Sequence, residues 1–156
     1  MEQKIKTLGA LSRTVSALKS KDKRVVFTNG CFDILHVGHV TYLKKARGLG
    51  DALVVGLNSD SSVRAIKGKG RPINREADRA KVLSALYFVD YVTIFSDPTP
   101  ERLIKTLKPD VLVKGADWRE EHIVGADFVK SYGGKMARIP FVKGHSTTSV
   151  LKKIGR

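Results

Sequence analysis

The sequence is poor in several things, and each shortage narrows what the chain can be. Cys31 is the one cysteine in 156 residues, so no disulfide can form within the chain. No apolar run approaches the ~20 residues a membrane-crossing helix needs, and Met1 to Lys23 lacks the apolar core of a secretory leader. Aromatic residues make up 7% and are not interleaved with the basic ones, which argues against a nucleic-acid-reading surface. Neither nucleic acid nor a membrane is therefore an expected partner, and the expected compartment is the cytoplasm. Acidic residues are also few: 15 Asp and Glu face 29 Lys and Arg, a formal net charge of +14. That excess concentrates anionic small molecules such as nucleotides and phosphosugars near the surface, although most of these charges need do no more than keep the protein in solution.

What is present reads as a single α/β domain over 1–156, with residues 1–23 as an N-terminal helical segment packed on it. A chain of this length can bury a real core without staples. Ile5, Leu8, Leu11, Val15 and Leu18 recur at helical spacing, and Ser20-Lys21-Asp22-Lys23 ends the helix. Arg24 to Thr28 reads as a buried strand broken by Asn29-Gly30. Val40, Leu43 and Ala46 mark a helix closed by Gly48 and Gly50. Ala52 to Leu57 is an uninterrupted apolar run, as a central parallel strand requires, and Asn58-Ser59-Asp60 follows as a turn and helix cap. Ala65 to Asn74, rich in lysine and glycine, is expected to be a mobile loop. Glu76 to Phe88 is expected to be a helix with Ala80, Leu83 and Leu86 or Tyr87 inward. Tyr91–Phe95, Val111–Lys114 and Ala137–Val142 read as strands. Helices are expected from Pro100 to Leu107, Val124 to Tyr132 and Ser146 to Ile154. This alternation predicts a Rossmann-like, doubly wound, parallel five-stranded sheet with helices on both faces, and ligands then gather beyond the C-terminal ends of the strands.

One segment carries chemistry: Thr28-Asn29-Gly30-Cys31-Phe32-Asp33-Ile34-Leu35-His36-Val37-Gly38-His39. It joins the first strand to the next helix. His36 and His39 project to one side of that helix mouth, Gly38 lets a ligand or backbone come close, and the unpaired N–H groups of a helix start favour phosphate. Two plainer readings stand beside this one. The imidazoles could hold zinc, but that needs a third ligand, and Cys31 and Asp33 do not complete a usual zinc spacing. They could also simply pack in the core.

Further segments accompany this one in order: Asn58-Ser59-Asp60, Arg79, Val89-Asp90-Tyr91-Val92, Lys114-Gly115-Ala116-Asp117-Trp118 and Ser146-Thr147-Thr148-Ser149. Together they resemble the H-x-G-H nucleotidyltransferase superfamily over roughly residues 24–154. Within it, Thr-Asn-Gly-Cys-Phe-Asp, Gly-Arg-Pro-Ile-Asn, Leu-Val-Lys-Gly-Ala-Asp and the Ser-Thr-Thr end are most similar to the D-glycero-β-D-manno-heptose 1-phosphate adenylyltransferases. Members of that family are often fused to a sugar kinase, and a 156-residue chain is expected to be the stand-alone form. Glycerol-phosphate cytidylyltransferases share most of the same motifs, so CTP with an alcohol phosphate stays open as an alternative. A non-catalytic nucleotide or nucleic-acid binder is the remaining one.

The resemblance implies ATP and a phosphorylated sugar as partners, Mg²⁺ carried by the nucleotide phosphates with no metal held by the protein, and room for a homodimer. The expected catalytic residues are His36, His39 and Lys44. Thr28, Asn29, Gly30, Cys31, Phe32, Gly38, Lys114, Gly115, Asp117, Ser146, Thr147 and Thr148 are expected to meet the nucleotide. Asp33, Lys67, Lys69 and Arg79 are expected to meet the phosphosugar and its phosphates. Each has a duller counterpart: a turn carboxylate for Asp33, solvated faces for Lys44, Lys67 and Lys69, a salt bridge for Arg79, and a helix cap for Ser146-Thr147-Thr148. Trp118 is expected to pack rather than bind, and Cys31 to fill space rather than react.

Overall fold

The computed structural model describes residues 2–140 and 142–155. Five strands, β1 (Val25–Gly30), β2 (Ala52–Asn58), β3 (Tyr91–Phe95), β4 (Val111–Gly115) and β5 (Lys135–Ile139), form one sheet in the order β3-β2-β1-β4-β5. Every pairing is parallel. The helices are α1 (Leu8–Lys19), α2 (Val37–Arg47), α3 (Asp60–Lys67), α4 (Glu76–Ala85), α5 (Glu101–Leu107), α6 (Ala126–Ser131) and α7 (Thr147–Lys153).

The central strand β2 is buried at every position because both of its faces are covered, whereas the edge strand β5 exposes Lys135 and Arg138. Side chains alternate across the sheet. Val26, Leu53, Val55, Val111 and Val113 meet Leu43 and Ala46 of α2 and Leu83 of α4 on one side. Val25, Phe27, Val54 and Leu112 meet Leu11 and Val15 of α1, Ile104 of α5 and Val129 of α6 on the other. The chain builds outward from β1 through β2 to β3, then crosses back to place β4 on the opposite flank of β1. That reversal opens a crevice above the C-terminal ends of β1 and β4.

Several boundaries differ from those the sequence suggests, each for a local reason. Asn29-Gly30 does not break β1, since both residues pair in register with Gly56 and Leu57 of β2. The chain turns two residues later, at Phe32, whose φ of 43° is left-handed. Helix α1 starts at Leu8 rather than Ile5, because Ile5 bridges Val92 of β3 and Thr7 caps the helix by accepting from the Ala10 N–H. The segment Ala65–Lys67, expected to be loop, completes α3, which Ser59 caps. Helix α4 ends at Ala85, leaving Leu86 half-buried and Tyr87 outward. Gly125, at φ 86°, delays the start of α6. Strand β5 stops at Ile139 because Pro140 brings no N–H to the ladder. Of the three further residues expected in that strand, Phe141 lies outside the described residues. Among the described residues no helix is long and apolar enough to cross a membrane.

Candidate active site

The crevice holds a cavity of about 570 Å³. One wall is the turn after β1. Phe32 turns the backbone and sets its ring edge-on to His39, with centroids 5.2 Å apart. His36 is the cap residue of α2 but makes no side-chain cap bond. Its ring instead stacks on His39 at 3.8 Å, with 25° between planes. Gly38 makes this possible: a Cβ there would sit 2.9 Å from His36 Nδ1 and 3.4 Å from the carbonyl oxygen of His145. The same distance shows how closely the mouth of α2 approaches the segment that leads into α7.

The two imidazoles are poised rather than paired. Nδ1 of each is buried and makes no hydrogen bond. The Ile34 carbonyl lies near enough to His39 to favour its protonation slightly, without the geometry of a bond. Burial, reinforced by the neighbouring His36, pushes the His39 pKa down to about 4. Burial and then His145 also lower that of His36. Both rings are therefore neutral near pH 7, and a neutral imidazole has one N–H to donate. Buried polar atoms without partners are uncommon, and here they stand beside a cavity that His39 lines.

The opposite wall comes from β4 and α7. Lys114 donates from Nζ to Asn29 Oδ1 at 2.6 Å and lies 5.7 Å from the centre of the Trp118 ring. Burial pushes its pKa down to about 8, against the pull of Asp117 and Cys31. Thr147 and Thr148 line the cavity from the first turn of α7. Ser146 caps that helix by accepting from the Ser149 N–H, while the Ser149 hydroxyl accepts from the Ser146 N–H. The capping reading and the ligand reading thus fall on different residues of one motif: Ser146 caps, and the threonines face the space.

Of the residues singled out from sequence, Asn29, Gly30, Cys31, Phe32, Asp33, His39, Lys67, Lys114, Gly115, Thr147 and Thr148 line the cavity. The others sit elsewhere. Thr28 is buried and shares a 2.8 Å hydroxyl bond with Tyr42. His36 and Gly38 reach the cavity only through contact with His39 and the α2 mouth. Asp117 and Lys69 are exposed outside the lining.

Three of the expected residues are placed or engaged in ways that the sequence did not foresee. Lys44, expected to be catalytic, is exposed on α2 and contributes nothing to the cavity wall. Arg79, expected to hold phosphate, is only 2% exposed. Its guanidinium donates to the carbonyls of Asn74, Cys31 and Asn58 and to Asp60 Oδ1, all within 2.9 Å. With four of its five donors taken, it locks α4 to the β1 turn. Asp33, expected to meet the phosphosugar, accepts from the Ile73 and Asn74 N–H groups and from Arg71 Nε at 2.7–2.9 Å. Burial alone would raise its pKa, but these donors outweigh it and hold the carboxyl below its ordinary value. It is the structural carboxylate that pins the α3–α4 loop.

Sequence reasoning missed other parts of the wall: Asn58, Ile66, Arg71, the Pro98-Thr99-Pro100 turn and His122-Ile123-Val124. Trp118, expected to pack, is 49% exposed at the cavity. The rule that ligand sites gather after the C-terminal ends of strands could have pointed to the 98–100 turn, which follows β3. No comparable signal marks 122–124, which reach the site across the 3₁₀ turn at Glu120–His122.

A parallel α/β sheet with stacked neutral imidazoles, a lysine and two helix-terminal threonines around one crevice is the layout of a nucleotide-handling α/β protein. Residues 27–150 match the family model described as cytidylyltransferase-like, and the chain belongs to that family. It is 58% identical over 153 residues to the bifunctional protein HldE of Geotalea uraniireducens (strain Rf4), covering 98% of this chain and 31% of that protein. It is 54% identical over 153 residues to the bifunctional protein HldE of Campylobacter jejuni subsp. doylei, covering 98% and 32%. The chain thus spans about a third of the length of these curated relatives. Among solved structures it resembles the lipopolysaccharide core biosynthesis protein from Thermoplasma volcanium GSS1, with TM-score 0.61 and 29% identity over 79% of this chain and 99% of that one. A pantoate-beta-alanine ligase from Francisella tularensis shares the fold, with TM-score 0.63 and 18% identity over 87% of this chain and 66% of the other.

Proposed function

We propose that the chain is a cytoplasmic nucleotidyltransferase domain that moves AMP from ATP onto D-glycero-β-D-manno-heptose 1-phosphate, giving ADP-heptose and pyrophosphate. The observation that carries this reading is the stacked pair of neutral imidazoles, each with a buried Nδ1 that makes no hydrogen bond, at a cavity lined by His39, Lys114 and the α7 threonines. The heptose reading rests on the motif resemblance and on the likeness to HldE over 98% of the chain. A product of this kind would feed lipopolysaccharide core synthesis, in keeping with the description of the Thermoplasma volcanium protein.

An oxygen of the sugar phosphate attacks the α-phosphorus, the bond to the bridging oxygen of the β-phosphate breaks, and pyrophosphate departs in line. The attacking group is already an anion, so it needs no strong base, which fits a site whose histidines are uncharged near neutrality and act as hydrogen-bond donors. The work left to the protein is alignment and relief of charge repulsion. His39, steadied by His36, donates a hydrogen bond to the charge building on the α-phosphoryl group. Thr147 and Thr148 offer hydroxyls and the start of α7 to the β- and γ-phosphates. Lys114 and Gly115 meet the nucleoside side, and Lys67 and Arg71 the acceptor phosphate.

The donor set also bears on magnesium. Among the described residues, Asp33 is the one carboxylate in the lining, and its oxygens are occupied. Among the described residues no group of three or more His, Cys, Asp and Glu side chains is placed to hold a metal. The lining fits a cation that arrives already coordinated by phosphate oxygens. Bound there, Mg²⁺ would neutralise part of the triphosphate charge.

A screen of triphosphates against acceptors, read as pyrophosphate release with Mg²⁺ present, tests this reading. ATP with the heptose 1-phosphate should turn over fastest. Preference for CTP with glycerol 3-phosphate would move the activity to the cytidylyltransferases, and no turnover with any pair would overturn the enzymatic reading.

A further inference from the structure

A second cavity, of about 350 Å³, lies beside the first and is lined by Asp60, Arg64, Arg71 and Arg75 together with the Gly70–Ile73 turn. Its charges do not balance. Asp60 Oδ1 is committed to Arg79 and to the Glu76 N–H. Arg71 donates from Nε to Asp33, and among the described residues its terminal nitrogens are uncommitted. Among the described residues, Arg64 and Arg75 have no carboxylate partner at all. Three guanidiniums therefore face a space whose one carboxylate already serves another arginine.

The frame that presents them is firm. Asp33 binds the Ile73 and Asn74 N–H groups at 2.8–2.9 Å, and Asn74 Nδ2 returns a bond to the Asp33 carbonyl at 2.8 Å. Arg64 stands on α3 and Arg75 immediately precedes α4, its side chain making no capping bond, and the Asp60–Glu76–Arg79 bonds tie the two helices together. Arg71 lines both cavities. Guanidinium forks suit the oxygens of a phosphate group better than single ammonium charges do.

We propose that this second cavity binds a phosphate group, distinct from the triphosphate of the main cavity, between Arg64, Arg71 and Arg75. The phosphate comes either free, as inorganic phosphate, or on a sugar phosphate. Because Arg71 belongs to both walls, occupancy here adjusts the electrostatics of the acceptor side of the main cavity.

The test is calorimetric titration of the intact protein saturated with a non-hydrolysable ATP analogue, at ionic strength matched with chloride. Inorganic phosphate and a hexose 1-phosphate serve as separate probes against the parent and against the double variant Arg64→Gln/Arg75→Gln. At least one probe should bind the parent and bind the variant ~10-fold or more weaker, the size expected for losing charge-assisted bonds. Both proteins should bind the analogue alike and melt together, since both side chains are exposed. Dependence on the arginines for inorganic phosphate identifies the free ion. Dependence for the hexose phosphate alone identifies the sugar phosphate. Equal affinity of parent and variant for both probes, or no binding of either probe to the parent, overturns the proposal.

Discussion

Only Ile34 and Leu35 separate Asp33 from His36 in the turn after β1, yet their surroundings are opposite. Around Asp33 nearly every donor and acceptor is matched: its oxygens take Arg71, Ile73 and Asn74, and Arg79 closes the neighbouring carbonyls of Cys31, Asn58 and Asn74. Around His36 and His39, buried ring nitrogens are left unmatched next to open space. A saturated buried network stabilises one backbone arrangement. An unsaturated one carries a desolvation cost that a hydrogen-bonding ligand can relieve. The first region is scaffold and the second is site, and substitutions should separate them.

The largest effect belongs to the scaffold. Arg79→Ala leaves Asp60 and three carbonyls, one buried and two partly buried, without their donor, and removing one partner of a buried pair costs about 3–5 kcal/mol. Urea unfolding should show that loss directly. Crowding the histidines should do the reverse. In Gly38→Ala the new methyl meets the His36 ring at 2.9 Å and pushes it off His39. Turnover should fall ~10²-fold, the scale of one lost transition-state donor, while urea unfolding changes little.

Asp33→Asn sharpens the contrast through pH. The folded carboxyl titrates below its ordinary value, so its contribution is present above pH ~4 and fades as pH falls through the lower folded value. The variant should be less stable than the parent by about 1–3 kcal/mol at pH 7, and the gap should close in acid. The site has a pH signature of its own at the other end. Lys114 is charged below about 8 and neutral above it, so kcat/KM for the nucleotide should decline as pH rises past that point and should lack this limb in Lys114→Met. His39, neutral down to about 4, should add no limb near pH 6.5. The smallest effect should be that of Thr28→Val, which removes one hydroxyl bond to Tyr42 and costs about 1 kcal/mol in urea unfolding.

The fold was readable because it rests on local patterns. The apolar run from Ala52 to Leu57, part of a strand buried at every position, and the spacing of Leu11 and Val15 signal parallel strand and packed helix without any long-range knowledge. Boundaries set by distant partners were not readable, such as Ile5 drawn from helix into a bridge with Val92. The same division runs through the site. His39 and the threonines of α7 stand in the first turns of helices and Lys114 near the C-terminal end of β4, where position alone assigns them to the crevice. Arg79 and Asp33 could not be sorted from sequence. A buried arginine and a ligand-binding one look alike until the carbonyls of residues 5, 21 and 48 positions away are found closing on it.

The central claim is that the unmatched imidazoles serve the reaction and not the fold. It is tested most directly by pyrophosphate release from ATP and the heptose 1-phosphate in His39→Ala. The account predicts a loss of ~10²-fold or more in a protein that unfolds within about 1 kcal/mol of the parent, the size of a single ordinary hydrogen bond. Turnover close to that of the parent would contradict it.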